Sequence, residues 1–202
     1  MKNKMILSEE LSFLCRISIC VSLGNKDGLS DLFHDEKTVA HLEKVHETIL
    51  QCYLFVGFPA AIEGFISLKK ALGTTYTSLP SKTTYTHSEW EESGNQLFQK
   101  IYGKQFSRVR ENMTALNKDL SDWMILEGYG KTLSRSGLLA KERELCAVAS
   151  LAVNRWERQL FSHIKGALNC GATKDEIKSV LILSDFYKPN TFNTYQSLLE
   201  KL

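Results

Sequence analysis

The chain has 202 residues and a formal net charge of +2, with 25 basic residues dispersed among 23 acidic ones. Its apolar fraction of 43% and charged fraction of 24% are ordinary for a soluble globular protein. No basic stripe favours nucleic acid, and the longest uncharged run, residues 48–62, is too short for a membrane-spanning helix. The first seven residues resemble the start of a signal peptide, but charges soon interrupt the pattern, so we expect a cytoplasmic protein.

The five cysteines are scattered and form no C-x-x-C motif. This pattern predicts reduced thiols packed as small hydrophobic side chains, while a redox role for Cys146 or Cys170 stays open as an alternative. The histidines and cysteines show no metal-ligand spacing, so neither a metal nor another cofactor is expected.

Three prolines and almost no strand-like alternation predict an all-α fold. Start and stop signals in the first part of the chain predict helices over 9–23 (capped by Ser8 and ended by Gly24), from Thr38 to about Phe55, and over 59–72 with Pro59 in the first turn. Residues 73–87 are polar, rich in Thr and Ser, and are interpreted as a linker.

Helix signals continue through the second part of the chain. A capping box at Ser88 predicts a helix to about Gly103, and one or two helices over 105–129 are expected to close at Gly128 and Gly130. Four more helices are predicted over 139–153, 156–170, from the Thr173 capping box to about Tyr187, and after Pro189. Residues 139–153 are apolar around nearly the whole circumference, which indicates a central buried helix.

The two ends of the chain resemble each other. Leu14-Cys15 aligns with Leu145-Cys146 at an offset of 131, and Val45 aligns with Ile177 at an offset of 132. We therefore predict a duplicated helical unit in one compact body: a degenerate N-terminal repeat over 1–72, the linker over 73–87, and a C-terminal repeat with its preceding helices over 88–202.

Two titratable residues lie in otherwise apolar helices. His163 shares a stripe with Trp156, Leu160 and Ala167, which fits either a hydrogen-bonded core histidine or a general acid–base. Glu144 fits either a first-turn glutamate favoured by the helix dipole or a proton-relay partner of His163. Glu144 lies about ten residues before the turn at Asn154-Arg155 and His163 about eight after it, so both side chains should reach similar heights on neighbouring helices.

Three arginines accompany these segments. A guanidinium is a natural ligand for a substrate carboxylate, and Arg135, at the entrance of a helix beside a Ser-Gly turn, is the first candidate. Arg143 is a second candidate, whereas Arg158 is interpreted as a solvated or salt-bridged surface residue.

The segment from Trp90 to Glu176 resembles the carboxymuconolactone decarboxylase family, which includes the alkylhydroperoxidase D-like proteins. The matching pieces are Gln96-Leu-Phe-Gln-Lys-Ile-Tyr-Gly103, Trp123 through Gly130, Arg135-x-Gly-Leu, Lys-x-Arg143-Glu144-Leu, Gln159-Leu-x-x-His163 and Ala167-Leu-x-x-Gly171-Ala-Thr. A further piece, Glu47 through Gly57-Phe-Pro-Ala-Ala61, is similar to the closing motif of the family but stands in the N-terminal copy. The resemblance implies the alkylhydroperoxidase D-like helical fold and a homo-oligomer, a trimer or a hexamer.

Two activities are implied by the resemblance. The peroxidase branch needs C-x-x-C, but those cysteine positions hold Trp156 and Gln159 here, while Glu144 and His163 match the relay glutamate and the histidine. We therefore expect a cofactor-free carboxy-lyase on a small carboxylated lactone or enolisable substrate. His163 and Glu144 would be catalytic, and the predicted substrate-binding residues are Arg135, Arg143, Trp156, Gln159, Leu160 and Trp123. The alternatives are a non-catalytic oligomeric family member and a thiol peroxidase.

Overall fold

The structure is a computed structural model that describes residues 6–79 and 86–201. Within those residues every regular element is helical, which confirms the predicted all-α fold. The helices are α1 (Glu9–Leu23), α2 (Lys26–Phe33), α3 (Glu36–Ala40), α4 (Leu42–Gln51), α5 (Tyr53–Leu72), α6 (His87–Tyr102), α7 (Phe106–Leu116), α8 (Lys118–Trp123), a π-helix (Met124–Leu133), α9 (Ala140–Asn154), α10 (Glu157–Asn169), α11 (Lys174–Tyr187) and α12 (Thr191–Glu200).

Local capping signals set several of these boundaries as predicted. The Ser8 hydroxyl accepts a hydrogen bond from the Leu11 amide at 3.1 Å, and α1 ends at Gly24, whose φ of 62° lies in the left-handed region. The Thr173 capping box is also formed, because its hydroxyl accepts from the Glu176 amide at 3.1 Å and the Glu176 carboxylate accepts from the Thr173 amide.

The helix predicted from Thr38 to about Phe55 is wrong, since the chain forms α3, α4 and the start of α5 there. The backbone leaves helical geometry at His41, where φ is −121°, and α5 is kinked at Gly57, where φ is 81°. Pro59 follows that kink in the first turn of the resumed helix, a position that needs no amide donor. Helix α2 was not predicted.

The capping box at Ser88 is also wrong, because the structure uses Thr86 and Glu89 instead. The Glu89 carboxylate accepts from the Thr86 amide at 2.6 Å, and the Thr86 hydroxyl accepts from the Glu89 amide at 3.4 Å. Both positions fit the same sequence pattern, so the pattern alone does not choose between them. The linker over 73–87 stays a prediction, because residues 80–85 lie outside the described residues. Residues 1–5 and 202 also lie outside them.

A ten-residue π-helix replaces the helix end predicted at Gly128 and Gly130. The missing side chain at Gly130 is used for close packing, since an added Cβ would collide with the Trp90 carbonyl of α6. The π-helix and α6 therefore pack backbone to backbone and carry a smaller second core of Phe98, Ile101, Ile125, Tyr129 and Leu133.

Helices α1 and α9, which the predicted duplication aligns with each other, have the same length and the same kind of C-terminal end. Both have 15 residues and start 131 positions apart. Each ends in a left-handed residue, Gly24 in the first copy and Arg155 (φ 60°) in the second. The bonds that close the two ends are also equivalent, as the Asn25 amide donates to the Cys20 carbonyl and the Trp156 amide donates to the Leu151 carbonyl. The two helices therefore share their end geometry, and the duplication itself stays a prediction.

Helix α9 occupies the centre of the main core. It packs against α1, α10 and α11, and every residue from Arg143 to Val153 is buried. This arrangement confirms the predicted central helix and encloses its polar residues between other helices.

Over the described ranges no single helix is both long and apolar enough to cross a membrane, although the bent pair Leu42–Gln51 and Tyr53–Thr75, with 118° between them, meets the length and composition criteria jointly.

Candidate active site

Glu144 and His163 meet between α9 and α10. The distance from His163 Nδ1 to Glu144 Oε2 is 3.0 Å, and the exposed fractions of the two side chains are 11% and 2%. The structure therefore brings the two residues together, as predicted from the similar heights of their side chains on neighbouring helices. Because a carboxylate only accepts hydrogen bonds, Nδ1 carries the proton in this contact and Nε2 points away from the carboxylate.

Gly166 provides the room for this contact. A Cβ on Gly166 would collide with Glu144 Oε2 and would lie 2.8 Å from Ile101 Cγ2. Gly166 lies three residues after His163 on α10, so the helix that carries the imidazole also leaves the gap that the carboxylate fills. The ring of Phe55, from the N-terminal part of the chain, contacts His163 edge-on with 5.3 Å between ring centroids.

Two tyrosines lie close enough to Glu144 for its charge to act on them: Tyr129, which is buried, and Tyr102, which is half-buried. The Tyr129 hydroxyl donates to the Tyr102 hydroxyl at 3.0 Å. Burial raises the pKa of both phenols above the ordinary value, and the nearby charge of Glu144 raises them further. Both hydroxyls therefore stay protonated at neutral pH and add polarity without adding charge.

Arg135 and Arg143 converge on Glu47, a buried residue of α4 that the sequence reasoning missed. Arg135 donates through Nη2 to Glu47 Oε1 at 2.9 Å and through Nε to both oxygens at 3.1 Å, while Arg143 Nη2 donates to Glu47 Oε2 at 2.8 Å. Burial by itself would raise the pKa of Glu47, but the two guanidinium groups outweigh it and hold the pKa below its ordinary value.

The other hydrogen bonds of Arg143 are also made to residues of the protein itself. Its Nη1 donates to the Gln51 side-chain oxygen at 3.2 Å, its Nη2 donates to the Arg135 carbonyl at 2.9 Å, and the residue is only 1% exposed. This placement argues against the substrate-binding role predicted for Arg143. Instead, Arg143 joins α9 to α4 and to the loop before α9.

The other predicted substrate-binding residues lie in different environments. Leu160 is fully buried in the main core, so it does not line a solvent-open surface. Trp156 is 56% exposed and Gln159 is exposed, and both lie on the same face of α10 as His163. Trp123, 61% exposed at the end of α8, belongs to neither of the helices that carry the Glu–His pair.

Two of the cavities on the surface of the described residues are formed entirely by other residues than Glu144 and His163. The larger, about 270 Å³, lies between α6 and the π-helix and is bordered by Arg135. The smaller, about 180 Å³, lies between α1, α2 and α5. Neither of these two cavities is therefore a substrate pocket beside the Glu–His pair.

The two cysteines considered for a redox role, Cys146 and Cys170, are poor nucleophiles. All five are free thiols, and four of them are buried. Burial and the charge of Glu144 raise the pKa of Cys170 to about 11, while a hydrogen bond with Cys15 and burial raise the pKa of Cys146 well above its usual range. Thiolate chemistry at neutral pH is disfavoured at both positions.

The fold and this geometry define a protein that is all-helical over the described residues, with a carboxylate–imidazole pair between α9 and α10. Residues 120–190 match the model of the carboxymuconolactone decarboxylase family. The matched range contains the π-helix, α9, α10 and α11, and so includes both Glu144 and His163.

Three curated relatives are similar to the chain. It is 29% identical to Peroxisomal protein 2 of Schizosaccharomyces pombe over 137 residues (67% of this chain and 64% of the relative). It is 29% identical to Peroxisomal protein 2 of Saccharomyces cerevisiae over 163 residues (68% and 58%). It is also 31% identical to 4-carboxymuconolactone decarboxylase of Acinetobacter baylyi over 84 residues (42% and 63%). The matched region is less than two thirds of the length of each relative.

Proposed function

We propose that this chain is a cofactor-free acid–base enzyme that acts on a small carboxylated lactone or enolisable substrate. The observation that carries the proposal is the 3.0 Å hydrogen bond between His163 and the buried carboxylate of Glu144. Burying a carboxylate is costly, and a partnered imidazole at the edge of the core is a pattern found at proton-transfer sites.

In the proposed reaction His163 moves the proton and Glu144 positions the ring. With its proton on Nδ1 held by Glu144, the imidazole presents the Nε2 lone pair as a base, and after taking up a proton it presents an acid at the same atom. In a decarboxylation the carbon–carbon bond to the carboxylate breaks, carbon dioxide leaves, and the resulting enolate carbon receives the proton from Nε2. Glu144 stabilises the imidazolium form without reacting itself.

The substrate would approach along the exposed face of α10. Gln159 and Trp156 precede His163 by one and two turns on that face, and both are exposed. An exposed tryptophan beside a catalytic group favours closure of the site by a second subunit, and we propose a homo-oligomer on this ground. Phe58, Ile62 and Ile66 also form an exposed apolar stripe on α5, which fits subunit contacts.

The family match supports the reaction class, and a relative named 4-carboxymuconolactone decarboxylase supports a carboxylated lactone as substrate. The relatives named Peroxisomal protein 2 support a peroxisomal location as an alternative to the predicted cytoplasmic one.

A second candidate function is that of a non-catalytic oligomeric family member. The observation that favours it is that neither cavity is lined by Glu144 or His163. In this case the Glu–His pair would be a buried structural hydrogen bond, and its loss would change stability but no reaction.

The test is carbon dioxide release from a panel of lactone and 2-oxo carboxylates. If the proposal holds, at least one substrate turns over, and His163→Gln lowers kcat/KM by about 10²-fold or more. The matched control is His34→Gln, since His34 is an exposed histidine on a different helix end and its replacement should leave turnover unchanged. Turnover that is equal in wild type and His163→Gln refutes the proposed role.

A further inference from the structure

The imidazole of His163 has an aromatic neighbour to which the proposed reaction assigns no role. Phe55, in the first turn of α5, contacts His163 with 5.3 Å between the ring centroids and an angle of 85° between the ring planes. This distance and this angle are those of a direct edge-to-face contact. Phe55 is half-buried and comes from the N-terminal part of the chain, so the surroundings of His163 are not made by α9 and α10 alone.

The first turn of α5 is fixed to the body of the protein on two sides. The hydroxyls of Tyr53 and of Thr132, a buried residue of the π-helix, form a hydrogen bond of 2.6 Å. Leu54 packs against the second core, and Phe55 packs against the main core. Phe55 therefore has little freedom to move away from His163.

The backbone of this turn is also anchored. The amides of Phe55 and Val56 donate to the carbonyl of Cys52, a fully buried residue, at 3.0 and 2.9 Å. Directly afterwards the chain is kinked at Gly57, whose φ of 81° lies in a region that favours glycine. The kink separates the turn that carries Phe55 from the rest of α5, so its position is set by the core beneath it.

Two contacts of different kinds therefore act on the imidazole. The hydrogen bond from Nδ1 to Glu144 holds one atom of the ring, but a single hydrogen bond permits the ring plane to rotate about the axis of that bond. The Phe55 ring occupies the space on one side of the imidazole and so restricts this rotation. A phenyl ring has no charge and no hydrogen-bonding group, so it leaves Nε2 available for proton transfer.

We infer that Phe55 is a positioning residue for His163 and that the candidate active site is assembled from both halves of the chain. Glu144 sets the tautomer of the imidazole, and Phe55 sets the ring plane and thereby the direction of the Nε2 lone pair. The effect on a reaction rests on the proposed function, whereas the restraint on the ring does not. Misdirection of the lone pair slows proton transfer, since a misplacement of about 1 Å can cost about 10²-fold in rate.

The first test measures the restraint itself and needs no turnover. In histidine-labelled protein, ¹⁵N–¹H NMR gives the rate at which the Nδ1 proton of His163 exchanges with water. Phe55→Leu stays apolar but loses the flat ring, and it should exchange this proton about fivefold faster than wild type, the factor that corresponds to the loss of one aromatic pair. Phe55→Tyr keeps the ring and should exchange as slowly as wild type.

The matched control is Phe65→Leu. Phe65 is a half-buried phenylalanine of the same helix, and its ring contacts a different histidine, His46, with 5.3 Å between the centroids. Phe65→Leu should therefore lower the Tm by a similar amount and leave the exchange of the His163 proton unchanged. Equal exchange rates in wild type and Phe55→Leu, or equal acceleration by both leucine variants, overturn the inference.

A rate measurement separates failure of this inference from failure of the proposed function. Where wild type accelerates proton exchange of a carbonyl substrate, Phe55→Leu should lower that rate by about tenfold, and Phe65→Leu should not change it. If His163→Gln abolishes the acceleration but Phe55→Leu retains it in full, the positioning role is wrong and the proposed function stands. If wild type accelerates no substrate, the proposed function fails, and the exchange rates of the Nδ1 proton still decide whether Phe55 holds the ring.

Discussion

Replacing Gly166 by alanine tests whether the contact between Glu144 and His163 depends on a gap left in α10. The variant keeps both titratable groups and adds one methyl group. That methyl group would collide with Glu144 Oε2 and would lie 2.8 Å from Ile101 Cγ2. The carboxylate is the far end of a flexible side chain and lies nearer to the added methyl group than Ile101 does, so it would be displaced from the imidazole.

The cost follows from two opposing effects. Overpacking a well-filled core costs about 1–3 kcal/mol. Alanine is the better helix former by about 1 kcal/mol, which offsets part of this cost. We therefore expect a net loss in the free energy of unfolding of up to about 2 kcal/mol, equivalent to a fall in Tm of up to about 8 °C for a chain of this size.

The assay is ¹⁵N–¹H NMR of histidine-labelled protein together with thermal unfolding. Wild type should show a slowly exchanging proton on Nδ1 of His163, and Gly166→Ala should lose it. The matched control is Gly128→Ala, because an added Cβ at Gly128 meets no atom within 4 Å. A preserved Nδ1 proton in Gly166→Ala, with stability equal to that of the control, would refute this reasoning.

Three further predictions concern the buried ion pairs, the repeat and the thiols. Glu47→Gln should lower the free energy of unfolding by about 3–5 kcal/mol at pH 7, since it leaves two arginines near a neutral amide. Because the pKa of Glu47 is depressed in the folded protein, the difference in stability between wild type and variant should shrink as pH falls below about 4.3. Urea unfolding at pH 7 and pH 3 measures this difference. Arg155→Gly should raise the free energy of unfolding by about 1 kcal/mol, because it removes the strain of a non-glycine residue in the left-handed region. The converse change Gly24→Arg should lower it by a similar amount. Thermal unfolding measures both, and equal Tm values for the two variants would contradict this prediction. A thiol reagent at pH 7 should label the cysteines, Cys170 included, only after denaturation, and rapid labelling of the native protein would show the opposite.

Local signals in the sequence were sufficient for much of the fold. Ser8 and Gly24 determine both ends of α1 through bonds within a few residues, and Thr173 does the same for the start of α11. The π-helix was missed because its glycines resemble helix terminators, whereas Gly130 serves a contact with Trp90, 40 residues earlier in the chain.

In the candidate site, too, contacts between neighbouring elements could be predicted and contacts between distant parts of the chain could not. The meeting of Glu144 and His163 was predictable because both flank one short turn and their heights follow from the helical rise. The pairing of Arg135 with Glu47 was not, because the partners are 88 residues apart and no local pattern links them. The signal available in the sequence was the position of Glu47 directly before the uncharged run 48–62, since a carboxylate buried there requires a cationic partner.

The most direct measurement of the central claim is deuterium incorporation next to the carbonyl of lactone and 2-oxo carboxylates incubated in heavy water, followed by proton NMR. Such exchange requires only the proton transfer assigned to His163, even for compounds that lose no carbon dioxide. Wild type and His34→Gln should accelerate exchange equally for at least one compound, and His163→Gln should return it to the background rate. Exchange at the background rate for every compound with wild type, or unchanged exchange with His163→Gln, would contradict the account.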